Sequence, residues 1–168
     1  MPTRESFDFD QAFDRYGDGL YRYCLRLTGS DQDAEDLVQE TFIAAIPAWS
    51  RFAHRSSEAT WIYRIARHKA YKLLRRRRIE RLIHVFSAPE PEPTGGIVLE
   101  QCVERLPLVV REAFLLVRVE GFTCAEASSV LGVAEGTVKS RVHRALKLLQ
   151  ADLVGGDERS REGVSHAV

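Results

Sequence analysis

The sequence predicts an all-α chain of two small helical domains, and three observations lead there. Apolar residues recur every three or four positions in both halves, whereas no stretch alternates with the period of two that a half-buried strand needs. Between the halves, "SAPEPEPTGG" (residues 87–96) holds three prolines and two glycines with almost no apolar content. That composition favours an extended, solvated connection. Charge is segregated along the chain as well. The expected division is a first domain over 1–86, a flexible linker over 87–97, a second domain over 98–153 and a disordered tail over 154–168.

The first helix is expected from about Phe9 to Thr28, with Phe9, Phe13, Tyr16, Leu20, Cys24 and Leu27 on one face. Gly17 and Gly19 weaken it, and Gly29 can end it. Ser30 then offers an N-cap, with Asp33 at the favourable end of the helix dipole. The second helix places Ala34, Leu37, Val38, Thr41, Phe42 and Ala45 on its core face, and Pro47 should end or kink it near Ile46. After "AWSRFAHRSS", Ser57 can cap a third helix that runs through Trp61 into "LLRRRRIERL".

In the second half a short helix over about 98–105 precedes Pro107, which suits the start of the next helix. That helix should end at Gly121. "TCAE" from Thr123 is a capping box opening a helix to Leu131. Gly132 makes a turn, and "GTVKSRVHRALKLL" forms the last helix. Helix, tight glycine turn and helix is the helix-turn-helix arrangement.

Composition narrows what such a chain can do. Of its 168 residues, 45% are apolar and 29% charged, enough to bury a core. No apolar run approaches the roughly 20 residues that span a bilayer, and "MPTRESFDFD" lacks the basic-then-apolar order of a signal peptide. The expectation is a cytoplasmic protein with no membrane insertion. Three widely spaced cysteines without a CxxC pair argue against a disulfide framework or a zinc site. The five histidines are scattered, without HExxH or GxSxG, and no Walker or Rossmann glycine loop is present. No enzyme activity, cofactor or metal is expected.

The formal net charge of zero conceals two opposed blocks. Residues 1–50 hold ten acids against four bases, and residues 51–81 hold eleven bases against two acids. A zero average is therefore compatible with a local polyanion-binding surface. On the last helix, Val138, Val142, Ala145 and Leu149 fall in a narrow arc at 100° per residue. Lys139, Ser140, His143, Arg144 and Lys147 fall opposite, with Arg141 on a flank beside Thr137. Such donors reach phosphates and base edges. On the third helix, Ile62, Ile65, Ala66 and Leu73 share one arc, and Tyr63, Arg64, Arg67, His68, Tyr71, Arg75 and Arg78 another. Aromatics interleaved with arginines suit an unstacked strand. The segment before it, with Trp49, Arg51, Phe52, His54 and Arg55, could cup an extruded base, although Trp49, Phe52 and Trp61 read equally well as core. On the second helix, Glu35, Asp36, Gln39, Glu40, Ile43 and Ile46 lie opposite the core arc. Two isoleucines rimmed by carboxylates fit a protein-docking patch, since a face this acidic repels DNA.

Three motifs in order resemble the extracytoplasmic-function (group 4) sigma factors of bacterial RNA polymerase, in the sigma-70 family. "DQDAEDLVQETFIAA" resembles regions 2.1–2.2, "FAHRSSEATWIYRIARHKAYKLLRRRR" regions 2.3–2.4, and "LPLVVREAFLLVRVEGFTCAEASSVLGVAEGTVKSRVHRALKLL" region 4. The resemblance implies a promoter-specificity subunit that binds core polymerase and nucleates DNA melting. It implies docking of Glu35, Asp36, Gln39, Glu40 and Ile43 on the clamp helices of the largest subunit, with the flap of the second-largest subunit as a further contact. It places Arg51, Phe52, His54, Arg55, Arg64, Arg67, His68 and Tyr71 at the minus-ten element. Thr137, Lys139, Ser140, Arg141, His143, Arg144 and Lys147 fall to the minus-thirty-five element. An anti-sigma partner is also expected. The chain departs from the family pattern at His68, usually asparagine, at Pro47, which interrupts a generally continuous helix, and at Ala134, where a serine commonly caps the last helix. The competing reading is a polymerase-independent helix-turn-helix regulator, which would need a dimer seam or ligand pocket; no clear heptad seam is visible.

Overall fold

The computed structural model describes residues 8–83 and 99–162, with side chains placed for 8–80 and 99–153. Every regular element among them is helical: α1 (Phe9–Thr28), α2 (Asp31–Ala48), α3 (Glu58–Ile83), α4 (Leu99–Arg105), α5 (Leu108–Phe114), α6 (Cys124–Leu131) and α7 (Glu135–Glu162). The proposed linker and the end of the tail lie outside the described residues.

Local signals explain most boundaries. Asp8 caps α1 by accepting from the Gln11 amide at 3.0 Å, and Gly29 ends it at φ 70°. Ser30 caps α2 through the Asp33 amide at 3.3 Å, and Ser57 caps α3 through the Thr60 amide at 3.2 Å. Thr123 and Glu126 form the expected reciprocal capping box, and Gly132 ends α6 at φ 67°. Pro47 does not end α2. The helix continues to Ala48 and then tightens into a 3-10 turn, Trp49–Arg51. Proline removes one amide donor, and Trp49 still donates to the Ala45 carbonyl, so the turn survives.

One further expectation is corrected. The core face of α1 is rotated: Ala12, Gly17, Leu20, Tyr23, Cys24 and Leu27 are buried, while Phe9 and Phe13 sit at the edge against Phe42. α7 is described as far as Glu162, past residue 154 where the tail is expected to start. Extending an existing helix avoids the nucleation cost that an isolated segment bears. The core face of α2 is as expected, with Ala34, Leu37, Val38, Thr41, Phe42 and Ala45 all buried.

α1, α2 and α3 pack on one another, and α7 packs on α4, α5 and α6. The two halves also pack together, α3 against α6 and α1 against α4 and α5, so the buried apolar residues form one continuous cluster. Between α5 and α6 the chain makes a wide π turn, Leu115–Val119, with the Glu120 amide donating to the Leu115 carbonyl at 2.9 Å. A π turn changes the angular register of the helix end. Here it brings Glu120 against α1 and α3, where Tyr63 donates to it at 2.9 Å and Arg22 pairs at 3.8 Å.

Gly19 has a role in this packing that its helix-weakening effect alone did not suggest. A Cβ there would lie 2.4 Å from the Tyr63 hydroxyl and 2.9 Å from Glu120 Oε2. Glycine costs a helix interior about 1 kcal/mol relative to alanine, and in exchange α1 admits a phenol from α3 and a carboxylate from the second half.

Cys24 is fully buried and burial pushes its thiol up to about 12, whereas Cys124 is half-buried. Alkylation at neutral pH followed by peptide mapping should therefore modify Cys124 first and leave Cys24 untouched until denaturant is added.

Candidate nucleic-acid interface

The basic arc of α3 divides in two. Tyr63, Arg67 and Tyr71, spaced four apart, lie on one stripe and turn toward the second half. Arg64, His68, Lys72 and Arg75 lie roughly 100° further round and stay exposed. Tyr63 was expected on the open arc, yet it is buried, packed edge-on against Phe122 with centroids 4.9 Å apart.

The exposed stripe borders a groove formed by Ala44, Trp61, Arg64, Ile65, His68, Lys69 and Lys72. Four rings cluster at the start of α3. Trp61 meets Phe52 at 4.9 Å and Trp49 at 5.6 Å, and Phe52 meets His54 at 4.5 Å. Trp61 is thus half-buried, serving both the core and the rim. His54 holds φ 50°, a left-handed conformation costing a non-glycine residue roughly 1–2 kcal/mol, and it turns the chain between the aromatic cluster and the Ser57 cap. Arg51 and Arg55 flank the turn and are exposed.

Arg67 and Tyr71 of the inward stripe converge on Glu112 of α5, which is 0% exposed. Arg67 donates to it twice, from Nε at 3.0 Å and from Nη2 at 3.3 Å. Tyr71 donates at 2.7 Å, and Arg141 of α7 approaches to 3.6 Å. Burial alone would lower the Arg67 pKa, but the hydrogen bond and charge of Glu112 reverse that, and the guanidinium is held above its usual range. Burial, then the bond to Glu112, pushes the Tyr71 hydroxyl up as well. The sequence reading missed Glu112. Its signal was available: a carboxylate among Leu108, Val110, Ala113, Leu115 and Leu116 occupies a core position of an apolar helix.

On α7 the expected division holds. Val138, Val142, Ala145 and Leu149 are buried, while Lys139, Ser140, His143, Arg144 and Lys147 are exposed. Thr137 is half-buried and accepts from Ser140 through its carbonyl at 2.9 Å. Ala134 supplies only a carbonyl to the Thr137 and Val138 amides, so the first turn lacks a side-chain cap, worth about 1 kcal/mol. On α2, Glu35, Asp36, Gln39 and Glu40 are exposed, Ile43 is 68% exposed and Ile46 50%. Glu40 pairs with Lys69 at 3.1 Å.

An acid-rimmed apolar patch, a basic aromatic groove and a helix-turn-helix together define a class of multi-surface transcription proteins. Comparison with known proteins agrees. Residues 12–79 match the model of Sigma-70 region 2, and residues 97–149 that of Sigma-70, region 4. The ECF RNA polymerase sigma factor SigE of Mycolicibacterium smegmatis is 33% identical across 84% of this chain and 60% of its own length. The ECF RNA polymerase sigma factor SigM of Mycobacterium tuberculosis is 30% identical across 84% of this chain and 74% of the relative. Among solved structures, the sigma factor RpoE in complex with the anti-sigma factor NepR from Bartonella quintana superposes with a TM-score of 0.73 at 30% identity, covering 87% of this chain and 96% of that one. CnrH in complex with the cytosolic domain of CnrY gives 0.70 at 28% identity, covering 88% of each. The chain belongs to the extracytoplasmic-function sigma factors of the sigma-70 family.

Arg64→Ala should weaken binding to a mixed-sequence single strand and reduce the slope of log affinity against log salt by about 0.7, the value for one phosphate contact. Titrations by fluorescence anisotropy at several salt concentrations measure this.

Proposed function

We propose that this chain is a promoter-specificity subunit that docks on bacterial RNA polymerase core through α2, reads promoter DNA through α3 and α7, and nucleates strand opening. The observation that carries this reading is the order of the two sigma regions along one chain, with an exposed surface of the right chemistry on each. Ile43 and Ile46 form an apolar centre rimmed by Glu35, Asp36, Gln39 and Glu40. Its carboxylates suit a protein partner and repel DNA. We assign this patch to the clamp helices of the largest polymerase subunit, with a further contact between the second half and the flap.

For the minus-ten element we assign Arg51, Phe52, His54, Arg55, Arg64, Arg67, His68 and Tyr71. Rings at the start of α3 receive unstacked bases, and guanidinium groups along it hold phosphates. For the minus-thirty-five element we assign Thr137, Lys139, Ser140, Arg141, His143, Arg144 and Lys147, presented to the major groove at the start of α7. Residues 1–86 form the docking and melting domain, and 98–153 the duplex-reading domain. Such a subunit works in the cytoplasm. Among the described residues no helix is long and apolar enough to cross a membrane. The sigma factor RpoE above was captured with the anti-sigma factor NepR, and this chain is expected to have an anti-sigma partner. The chemistry of RNA synthesis resides in core.

The net charge follows from this division of labour. Free in solution, the acidic block on α1 and α2 weakens encounter with DNA; docked on core, it is turned to a protein surface.

Mixing the protein with core polymerase should give co-elution, and strand opening on a promoter pool only when core is present. Ile43→Ser, which adds no charge, should lower core affinity at least about tenfold, as expected for the centre of an interface, and leave mixed-sequence DNA binding by the free chain unchanged. Tight, dimeric, core-independent binding to duplex DNA would support the free-standing regulator instead.

A further inference from the structure

We propose that the open cleft where α1, α3 and α5 meet is a binding site for a nucleotide, an oligophosphate carried on a planar aromatic body. The cleft has a volume of about 670 Å³, a size usual for small-molecule sites. Leu27, Leu74, Leu108 and the ring of Tyr71 line it, together with Arg75, Arg78 and Arg111. Three cations and no acid thus share one lining. Elsewhere the chain pairs such charges. Among the described residues, six lysines and arginines are partly buried. Five of them face a carboxylate: Arg26 with Glu100, Arg67 and Arg141 with Glu112, Lys69 with Glu40 and Arg77 with Asp33. Arg111 is the sixth, and among those residues it pairs with none. The run Arg75–Arg78 divides in the same way. Arg76 pairs with Glu80 and Arg77 with Asp33, whereas Arg75 and Arg78, the two that line the cleft, have no acid partner among the described residues.

Backbone carbonyls hold Arg111 in place. Its Nη1 donates to Arg26 at 3.1 Å, and its Nη2 to Leu106 at 3.1 Å and to Glu104. Carbonyls at helix ends bring only partial charge, and Nε is buried without a hydrogen-bond partner. Burial lowers the Arg111 pKa, and the charge of Glu104 offsets this only in part. The cation is therefore fixed in position and short of counter-charge. Three guanidinium groups supply forked donors for an oligophosphate. The leucines supply an apolar floor. Tyr71 commits its hydroxyl to Glu112 and one ring face to Arg67, 4.5 Å from the centroid, and its remaining ring surface lets a base stack. Inorganic phosphate would leave the leucines and the ring uncovered; a nucleotide uses the whole lining. The exposed stripe of α3 ends at Arg75, so a bound oligophosphate and a promoter strand compete for that cation. Only this last consequence rests on the sigma reading.

Anisotropy of adenosine triphosphate labelled with a fluorescent N-methylanthraniloyl group, titrated with the full chain, tests the site. Binding should saturate. Unlabelled adenosine triphosphate should displace the probe at a concentration at least about tenfold below that of inorganic tripolyphosphate, because only the nucleotide covers the apolar floor. Arg75→Gln and Arg78→Gln should each weaken binding about tenfold, as losing a charge-assisted contact does. Arg76→Gln removes the same charge from the same helix outside the cleft and should leave binding unchanged. All three positions are exposed, so these variants keep the fold, unlike one at Arg111, which holds three carbonyls. Equal weakening by Arg76→Gln would overturn the proposal in favour of diffuse attraction to a basic helix. Equal displacement by tripolyphosphate would reduce the cleft to a bare phosphate site, and displacement by mixed-sequence duplex at equal phosphate concentration would make it a DNA-backbone contact; either overturns the nucleotide. Absence of saturable binding overturns it outright. The sigma reading is tested apart from this, by whether the unmodified chain directs core to open promoters.

Discussion

A single buried carboxylate organises this molecule. Glu112 lies at the centre of the second half with no exposed surface. A carboxylate taken out of water needs compensating charge and hydrogen bonds, or it is costly by several kcal/mol. The second half supplies one cation, Arg141 at 3.6 Å, a long and partial compensation. The first half supplies the rest through Arg67 and Tyr71. Packing α3 against the second half is therefore also the way Glu112 is satisfied. The apolar contact of Tyr63 with Phe122 adds burial beside it.

The dependence extends to the DNA surfaces. Arginine suits both tasks because its planar fork meets a carboxylate and a phosphate with the same geometry. The residues that would hold a strand are thus equally good partners for a carboxylate on a neighbouring helix. Elsewhere in the first half the same exchange appears on a smaller scale: Arg77 pairs with Asp33, donating to Oδ1 at 2.7 Å, and Lys69 with Glu40 at 3.1 Å. Part of the basic surface of α3 is in this way held against the chain's own acids.

Much of the architecture was legible in the sequence because its signals are local. The serine caps, the capping box at Thr123 and the left-handed glycines rest on contacts within a few residues, and the buried faces of α2 and α7 follow an apolar period carried within one segment. Period and caps carry no information about a second body, and the misses share that origin. The arc of α3 read as one basic face because its arginines and tyrosines are alike in polarity; only the packed second half separates Arg67 from Arg64. The rotation of α1 reflects the same limit, since Tyr23 packs tilted against Tyr63 at 5.4 Å while Phe9 and Phe13 sit at the edge against Phe42. Glu112 was visible as a charge in an apolar register, but its hydrogen-bond donors Arg67 and Tyr71 lie more than 40 residues away.

The central claim is that Arg67 and Glu112 bind the two halves into one unit. A double-mutant cycle in urea unfolding, with Arg67→Ala, Glu112→Gln and the pair, tests it most directly. The account predicts a single cooperative transition and a coupling of about 1 kcal/mol or more, as contacting buried residues give. Additive effects, or two separate transitions in the unmodified chain, would contradict it.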